Sequence, residues 1–170
     1  MDRGKLDTPK RRARREPLQQ VAALPFRVRP DSGVELMLIS SRETRRFVIP
    51  KGWPMAGRKS WKAAQIEARQ EAGVVGEIGR KKFGSYKYWK RLEGHFALTK
   101  VAVYPLEVRR ELADWPERNQ RYRRWLVADD AALLVDEPEL AALILAFAGR
   151  LQSAAPADAS PADGKLQPVS

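Results

Sequence analysis

From Pro50 to Val74 the sequence reads PKGWPMAGRKSWKAAQIEARQEAGV, and its second half restricts the fold more than any other stretch. Ser60 can cap a helix and Gly73 can end one in a left-handed conformation, so two turn signals bound a predicted helix between them. At about 100° per residue, Trp61, Ala64, Ala68 and Ala72 form one stripe. Side chains this small let a helix backbone lie close to a sheet, which makes the stripe the expected buried face. Glu67 and Glu71 stand one turn apart on the neighbouring flank, with Gln70 between them, and all three could converge above the loop of Gly52. Two like charges at this spacing cost on the order of 0.2–0.5 kcal/mol on a bare helix. Either they form a solvated helix face, or they hold a divalent cation that removes the penalty.

The rest of the chain supplies a sheet. VAALPFRVR (Val21 to Arg29) alternates Leu24, Phe26 and Val28 with polar partners, and ELMLIS and RFVIP are short apolar runs on either side of a polar turn. Pro25 predicts an edge position or a bulge for the first of these strands. Strands resume at KKFGSYKYWK and at HFALTKVAVYPLEV, where Phe96, Leu98, Ala102 and Tyr104 share a side, and again at RYRRWLV. DDAALLV and PELAALILAFAGRL read as helices, the second strongly amphipathic. The order β-β-β-α-β-β-β-α predicts an α/β fold with a mixed sheet flanked by helices.

At 170 residues one ordinary domain is expected. Residues 1–17 are polar and basic, with KRRARR at Lys10 to Arg15, and read as a disordered arm. Residues 153–170, rich in Ala, Pro, Ser and Asp, read as a disordered tail, leaving 18–152 as the domain. No 18-residue apolar run and no secretory leader are present, so a soluble cytoplasmic protein without a transmembrane segment is expected.

The chain has no cysteine and one histidine, which excludes disulfides, thiolate metal sites and a multi-histidine zinc site. Any metal must be held mainly by oxygen, the chemistry of Mg²⁺ or Mn²⁺. A net charge of +11 and a pI near 10.3 point to an anionic partner: nucleic acid, a phosphorylated small molecule or an acidic membrane surface. Lys81, Lys82, Lys87, Lys90, Arg91, Arg121, Arg123 and Arg124 crowd the strands beyond the helix, as ordinary surface charge or as a cradle for a polyphosphorylated ligand. Trp53, Pro54 and Trp61 are read first as packing, and His95 as structural or at the surface. The basic arm is a solvated tail or a nucleic-acid contact.

The segment from Gly52 to Val74 resembles the Nudix box, whose pattern is Gly, five residues, Glu, seven residues, then Arg-Glu-apolar-any-Glu-Glu-any-Gly-apolar. The spacing is kept from Gly52 through Glu67, Glu71 and Gly73 to Val74, while Arg58, Ile66 and Gln70 replace the first Glu, the Arg and the middle Glu. PKGWP, EAG and the distal LADWPERNQRYRRWLVADDAALLV are similar to the diphosphoinositol polyphosphate phosphohydrolase branch. The resemblance implies a Nudix α/β/α sandwich and Mg²⁺- or Mn²⁺-dependent hydrolysis of a diphosphate linkage in a nucleoside- or inositol-polyphosphate substrate. It implies Glu67 and Glu71 as the catalytic pair, with Gly52, Glu67, Gln70 and Glu71 as metal ligands. Lys51, Lys90, Arg91 and Arg123 are the expected substrate contacts. Ile66 cannot make the charge-assisted pair that the family's arginine makes with its glutamate, and Gln70 brings no charge, so weakened activity is expected. The alternative is a scaffold that has lost catalysis and binds a polyphosphorylated ligand or RNA.

Overall fold

Strand β1, Leu18–Arg29, is the axis of the structure, a computed structural model that describes residues 16–155. Residues 20–26 of β1 are all buried because both edges and both faces of the strand are covered. A strand in that position reads as a near-continuous apolar run, as VAALPF does. Along one edge β1 lies parallel to β7 (His95–Glu111), from Leu18 opposite Thr99 to Phe26 opposite Glu107. Along the other edge its start pairs with β4 (Lys51–Gly52) and its end with β2 (Gly33–Ser40), both antiparallel.

Pro25 therefore belongs to an interior strand, not to the edge or bulge expected of it. Ala23 donates its N–H to the Pro50 carbonyl at 3.1 Å, and residue 25 faces the same edge. Pairing with β2 begins only at Phe26 opposite Leu36. The proline nitrogen thus falls at the fork where β1 changes partner, and no ladder hydrogen bond is lost there.

β3 (Phe47–Val48) pairs with the end of β2 and, together with β4, fills the gap where β1 and β2 diverge. β8 (Arg123–Val127) covers the other edge of β2. β5 (Val74–Ile78) and β6 (Gly84–Leu92) pair antiparallel with the two ends of β7 and complete an eight-stranded mixed sheet.

Helix α1 (Ser60–Glu67, continued by a wider π turn over Ala68–Ala72) covers one face. Ala64, Ala68 and Ala72 of the predicted stripe are fully buried there with Ala63, against Val21, Ala23, Ile39 and Leu106, while Trp61, its fourth member, is only partly buried. α2 (Ala128–Leu134) and α3 (Pro138–Ala154) cover the other face, where Leu140, Ile144 and Phe147 meet Leu24, Phe26, Leu36 and Tyr86. The layers are those of an α/β/α sandwich.

Several local expectations differ. Ser60 is the first helical residue and caps nothing; Lys59 holds the cap position without a side-chain bond. β4 and β5 were not expected as strands, and β6 begins at Gly84, three residues after the predicted start at Lys81. Of the arm and tail expected at 1–17 and 153–170, all but residues 16–17 and 153–155 lie outside the described residues, and α3 runs through Ala154. Among the described residues no helix is long and apolar enough to cross a membrane.

Candidate active site

Gly52 is the first element of the site. In β4 it stands opposite Val21, whose side chain lies on the α1 face of the sheet. A Cβ at position 52 would sit 2.2 Å from Glu67 Oε1 and 2.3 Å from Glu67 Cδ. A side chain here would displace the Glu67 carboxylate, which occupies that space. The adjoining residues Lys51 and Trp53 project to the opposite face by strand alternation.

Glu71 comes one turn later, from within the π turn. Its Oε2 accepts the Lys51 backbone N–H at 3.2 Å, and its Oε1 accepts Nη2 of Arg121 at 3.0 Å. Arg121 is only 7% exposed, and its guanidinium also donates to Glu117 Oε2 at 3.3 Å and to the Ser40 carbonyl at 3.1 Å. Glu117 is buried as well and receives a second ion pair from Arg42 at 3.3 Å. A buried cation thus reaches Glu71 from a loop fifty residues downstream. Ile66 itself lies along an outer groove with Leu112 and Trp115.

Burial dominates the electrostatics. It pushes Glu71 up to about 7 against the opposing pull of Arg121 and Lys51. It also pushes Glu67 up, helped by the negative charge of Glu117 and opposed by Arg121. Lys51 is lowered to about 8, burial outweighing its attraction to Glu71. Two carboxylates held above their ordinary range beside a third carboxylate are groups that a divalent cation would stabilise in their charged form.

A cavity of about 330 Å³ joins these groups, lined by Lys51, Gly52, Glu67, Gln70, Glu71 and Lys90 together with Gln20, Arg42, Trp53, Glu117 and Arg121. Four cations face three carboxylates in this wall. Tyr88 donates to Gln20 Oε1 at 2.6 Å behind it, and Lys90 Nζ sits 5.7 Å from the Trp53 ring centroid.

Of the expected substrate contacts, Lys51 and Lys90 are brought to the cavity and two are not. Arg91, next to Lys90 in β6, turns to the opposite face of the sheet and does not line it. Arg123 is occupied elsewhere: it donates to the carbonyls of Ala72, Gly73 and Leu112 and stacks on Trp115 at 4.0 Å, closing the end of α1. Arg58, at the position of the family's first glutamate, is exposed in the turn before α1. His95 is exposed at the start of β7. Glu117, Arg42 and Gln20 were not found from the sequence. No periodicity marks them, and Glu117 had only its place in the distal segment that resembles the family; Arg121, expected as surface charge or as part of a phosphate cradle, is buried and pairs with Glu71 and Glu117 instead.

The donor set fits a hard divalent ion held partly by its substrate. Among the described residues no three acidic or histidine side chains group closely enough to cage an ion alone. Mg²⁺ is commonly bound through one or two carboxylates, waters and substrate phosphates, and Glu67, Glu71, Gln70 and the Gly52 backbone supply oxygens of that kind.

The chain matches no protein-family model. It is 31% identical over 119 residues to Nudix hydrolase 18, mitochondrial, of Arabidopsis thaliana, covering 66% of each protein. Over 120 residues it is 31% identical to Nudix hydrolase 4 of the same plant, covering 66% of this chain and 56% of the relative. It is 36% identical over 102 residues to Nudix hydrolase 16, mitochondrial, covering 58% of this chain and 56% of that one. The chain thus spans between about half and two thirds of the length of these curated relatives. Among solved structures, a C. elegans Ap4A hydrolase in a binary complex superposes with a TM-score of 0.58 at 18% identity, over 80% of this chain and 98% of that one. A NUDIX hydrolase from Nitrosomonas europaea gives 0.59 at 15% identity, over 79% and 90%. At these identities the likeness is one of fold, and the fold is the Nudix fold.

Proposed function

We propose that this chain, a member of the Nudix hydrolase family by its curated relatives and its fold, hydrolyses a phosphoanhydride linkage in a polyphosphorylated small molecule, using Mg²⁺ or Mn²⁺. The observation that carries the reading is one cavity in which Glu67 and Glu71 face Lys51, Lys90 and Arg42. Carboxylates and cations sharing one wall suit a reaction that brings a polyanion to a water molecule.

Glu67, Glu71 and the Gly52 carbonyl would hold the divalent ion, with Gln70 as a neutral donor. When bound, the ion would neutralise charge on the phosphate oxygens and favour attack at phosphorus. Lys51 and Lys90 draw the phosphates in as point charges, and Arg42 adds a fork that matches phosphate geometry. In the step itself a water oxygen bonds to phosphorus, the bridging P–O bond breaks, and the leaving phosphate takes the bond's electron pair. Glu67 takes the water's proton. It has no hydrogen-bond partner among the described residues, which leaves a carboxylate oxygen free to face the water. Arg121 is a positioning residue, which fixes Glu71 and Glu117 without reaching phosphate.

For the substrate we favour nucleoside polyphosphates or inositol pyrophosphates, since Lys51, Lys90 and Arg42 together exceed what a singly charged metabolite requires. The cytoplasm is the compartment we assign, although two of the relatives named above are mitochondrial. The test is phosphate release from an inositol pyrophosphate and from a diadenosine polyphosphate, each with and without Mg²⁺. Cation-dependent turnover of one class identifies the substrate. Tight binding of either without turnover would instead indicate a ligand-binding scaffold.

A further inference from the structure

The β6–β7 hairpin carries two different faces, because alternate residues of a strand point to opposite sides. Tyr88 and Lys90 lie on the α3 side of the sheet, with Tyr86 in the core beneath that helix. Lys87, Trp89 and Arg91 point the other way, and the register sets Lys100, Leu98 and Phe96 of β7 directly opposite them. Trp89 is 66% exposed and Phe96 63%. Lys87 and Lys100 form a like-charge pair across the strands, an arrangement that destabilises a ribbon left to itself. Among the described residues none of Lys87, Arg91 and Lys100 forms an ion pair.

Three cations, two open aromatic rings and no carboxylate among the strand residues on one side of a ribbon complement a polyanion that also offers flat apolar surfaces; the hairpin's one acid beyond them, Glu93, lies in the turn. We propose that this face binds single-stranded nucleic acid, with bases stacked on Trp89 and Phe96 and phosphates held by Lys87, Arg91 and Lys100. Residues two apart along a strand are separated by about 6.6 Å, and diagonal neighbours such as Trp89 and Phe96 by about 7–8 Å. That spacing suits consecutive unstacked bases of an extended strand. A duplex keeps its bases in its own stack and leaves both rings uncovered. Aromatic platforms beside a cationic track are the general means of binding single strands with little regard to sequence. None of these five side chains lines the hydrolase cavity.

The test is fluorescence anisotropy of labelled oligo(U) and oligo(dT) with the full chain. Saturable binding is expected, weakened about tenfold by Trp89→Ala and by Phe96→Ala, as the loss of one stacked base requires. Both side chains are exposed, so thermal melting should stay at the wild-type value. Lys87→Gln and Lys100→Gln should each lower the slope of log affinity against log salt by about 0.7. Unchanged affinity in both aromatic variants would overturn the proposal, as would a duplex binding as tightly as the single strand. So would binding that disappears only when the basic residues of Lys10–Arg15 are neutralised, or attachment to anionic vesicles without any binding of oligonucleotide.

Discussion

A methyl group on residue 52 would enter the space of the Glu67 carboxylate, so Gly52→Ala tests whether that carboxylate must lie where it does. The variant is expected to keep nearly its full stability, since the group in the way is the end of a flexible side chain that can move aside. It should lose turnover to the same extent as Glu67→Gln, which keeps the fold; steady-state kinetics beside urea unfolding would show both. Arg121 sets the other half of the site. Its replacement by Gln leaves Glu71 and Glu117 buried without their shared cation and should cost about 3–5 kcal/mol in denaturant unfolding. Adding Glu117→Gln should recover part of that loss. The sequence disclosed the two helix glutamates, because their spacing is local. It did not disclose what orients Glu71, since Arg121 is brought close only by the tertiary fold.

Among the elements, α1 was legible from its alanine stripe and its closing glycine, but its final turn was not. Nothing in ARQEA distinguishes a π turn from an α turn, and the widening there sets where Glu71 points. Gly73 ends the turn with φ of 63°, and a Cβ there would meet the Trp115 ring at 2.5 Å. Gly73→Ala should therefore destabilise by roughly 2–4 kcal/mol, adding left-handed strain to overpacking, as urea titration would measure. β5 escaped notice because VVGEI is short and interrupted by Gly76, which sits at a bulge where a Cβ would strike the Glu107 carbonyl. β1 was found as a strand but expected at an edge or with a bulge, since Pro25 signals one of these unless a fork between partners accommodates it.

At the scale of the whole molecule, the mixed sheet and its flanking helices followed from the order of apolar runs. The parallel pairing of β1 with β7 did not, because it joins segments about eighty residues apart and no local pattern records it. The finished fold also makes stability depend on pH through its site. Glu71 has a folded value of about 7 against an ordinary 4.5, so its proton is bound more tightly in the native state. Its contribution is fully present below pH 4.5 and is lost as pH rises through about 7. Without divalent cation, the melting temperature of wild type should fall relative to that of Glu71→Gln across this window, as scanning calorimetry of the pair would record.

The central claim is that Glu67 and Glu71, set against Gly52 and backed by Arg121, make a working hydrolytic site despite Ile66 and Gln70. Its most direct test is Mg²⁺-dependent phosphate release by wild type beside Glu67→Gln and Glu71→Gln, with folding verified for all three. Turnover in wild type, reduced on the order of 10²- to 10⁴-fold in each variant, is the expected result. Equal phosphate release by wild type and both variants, or none by a folded wild type with either substrate class, would contradict the account.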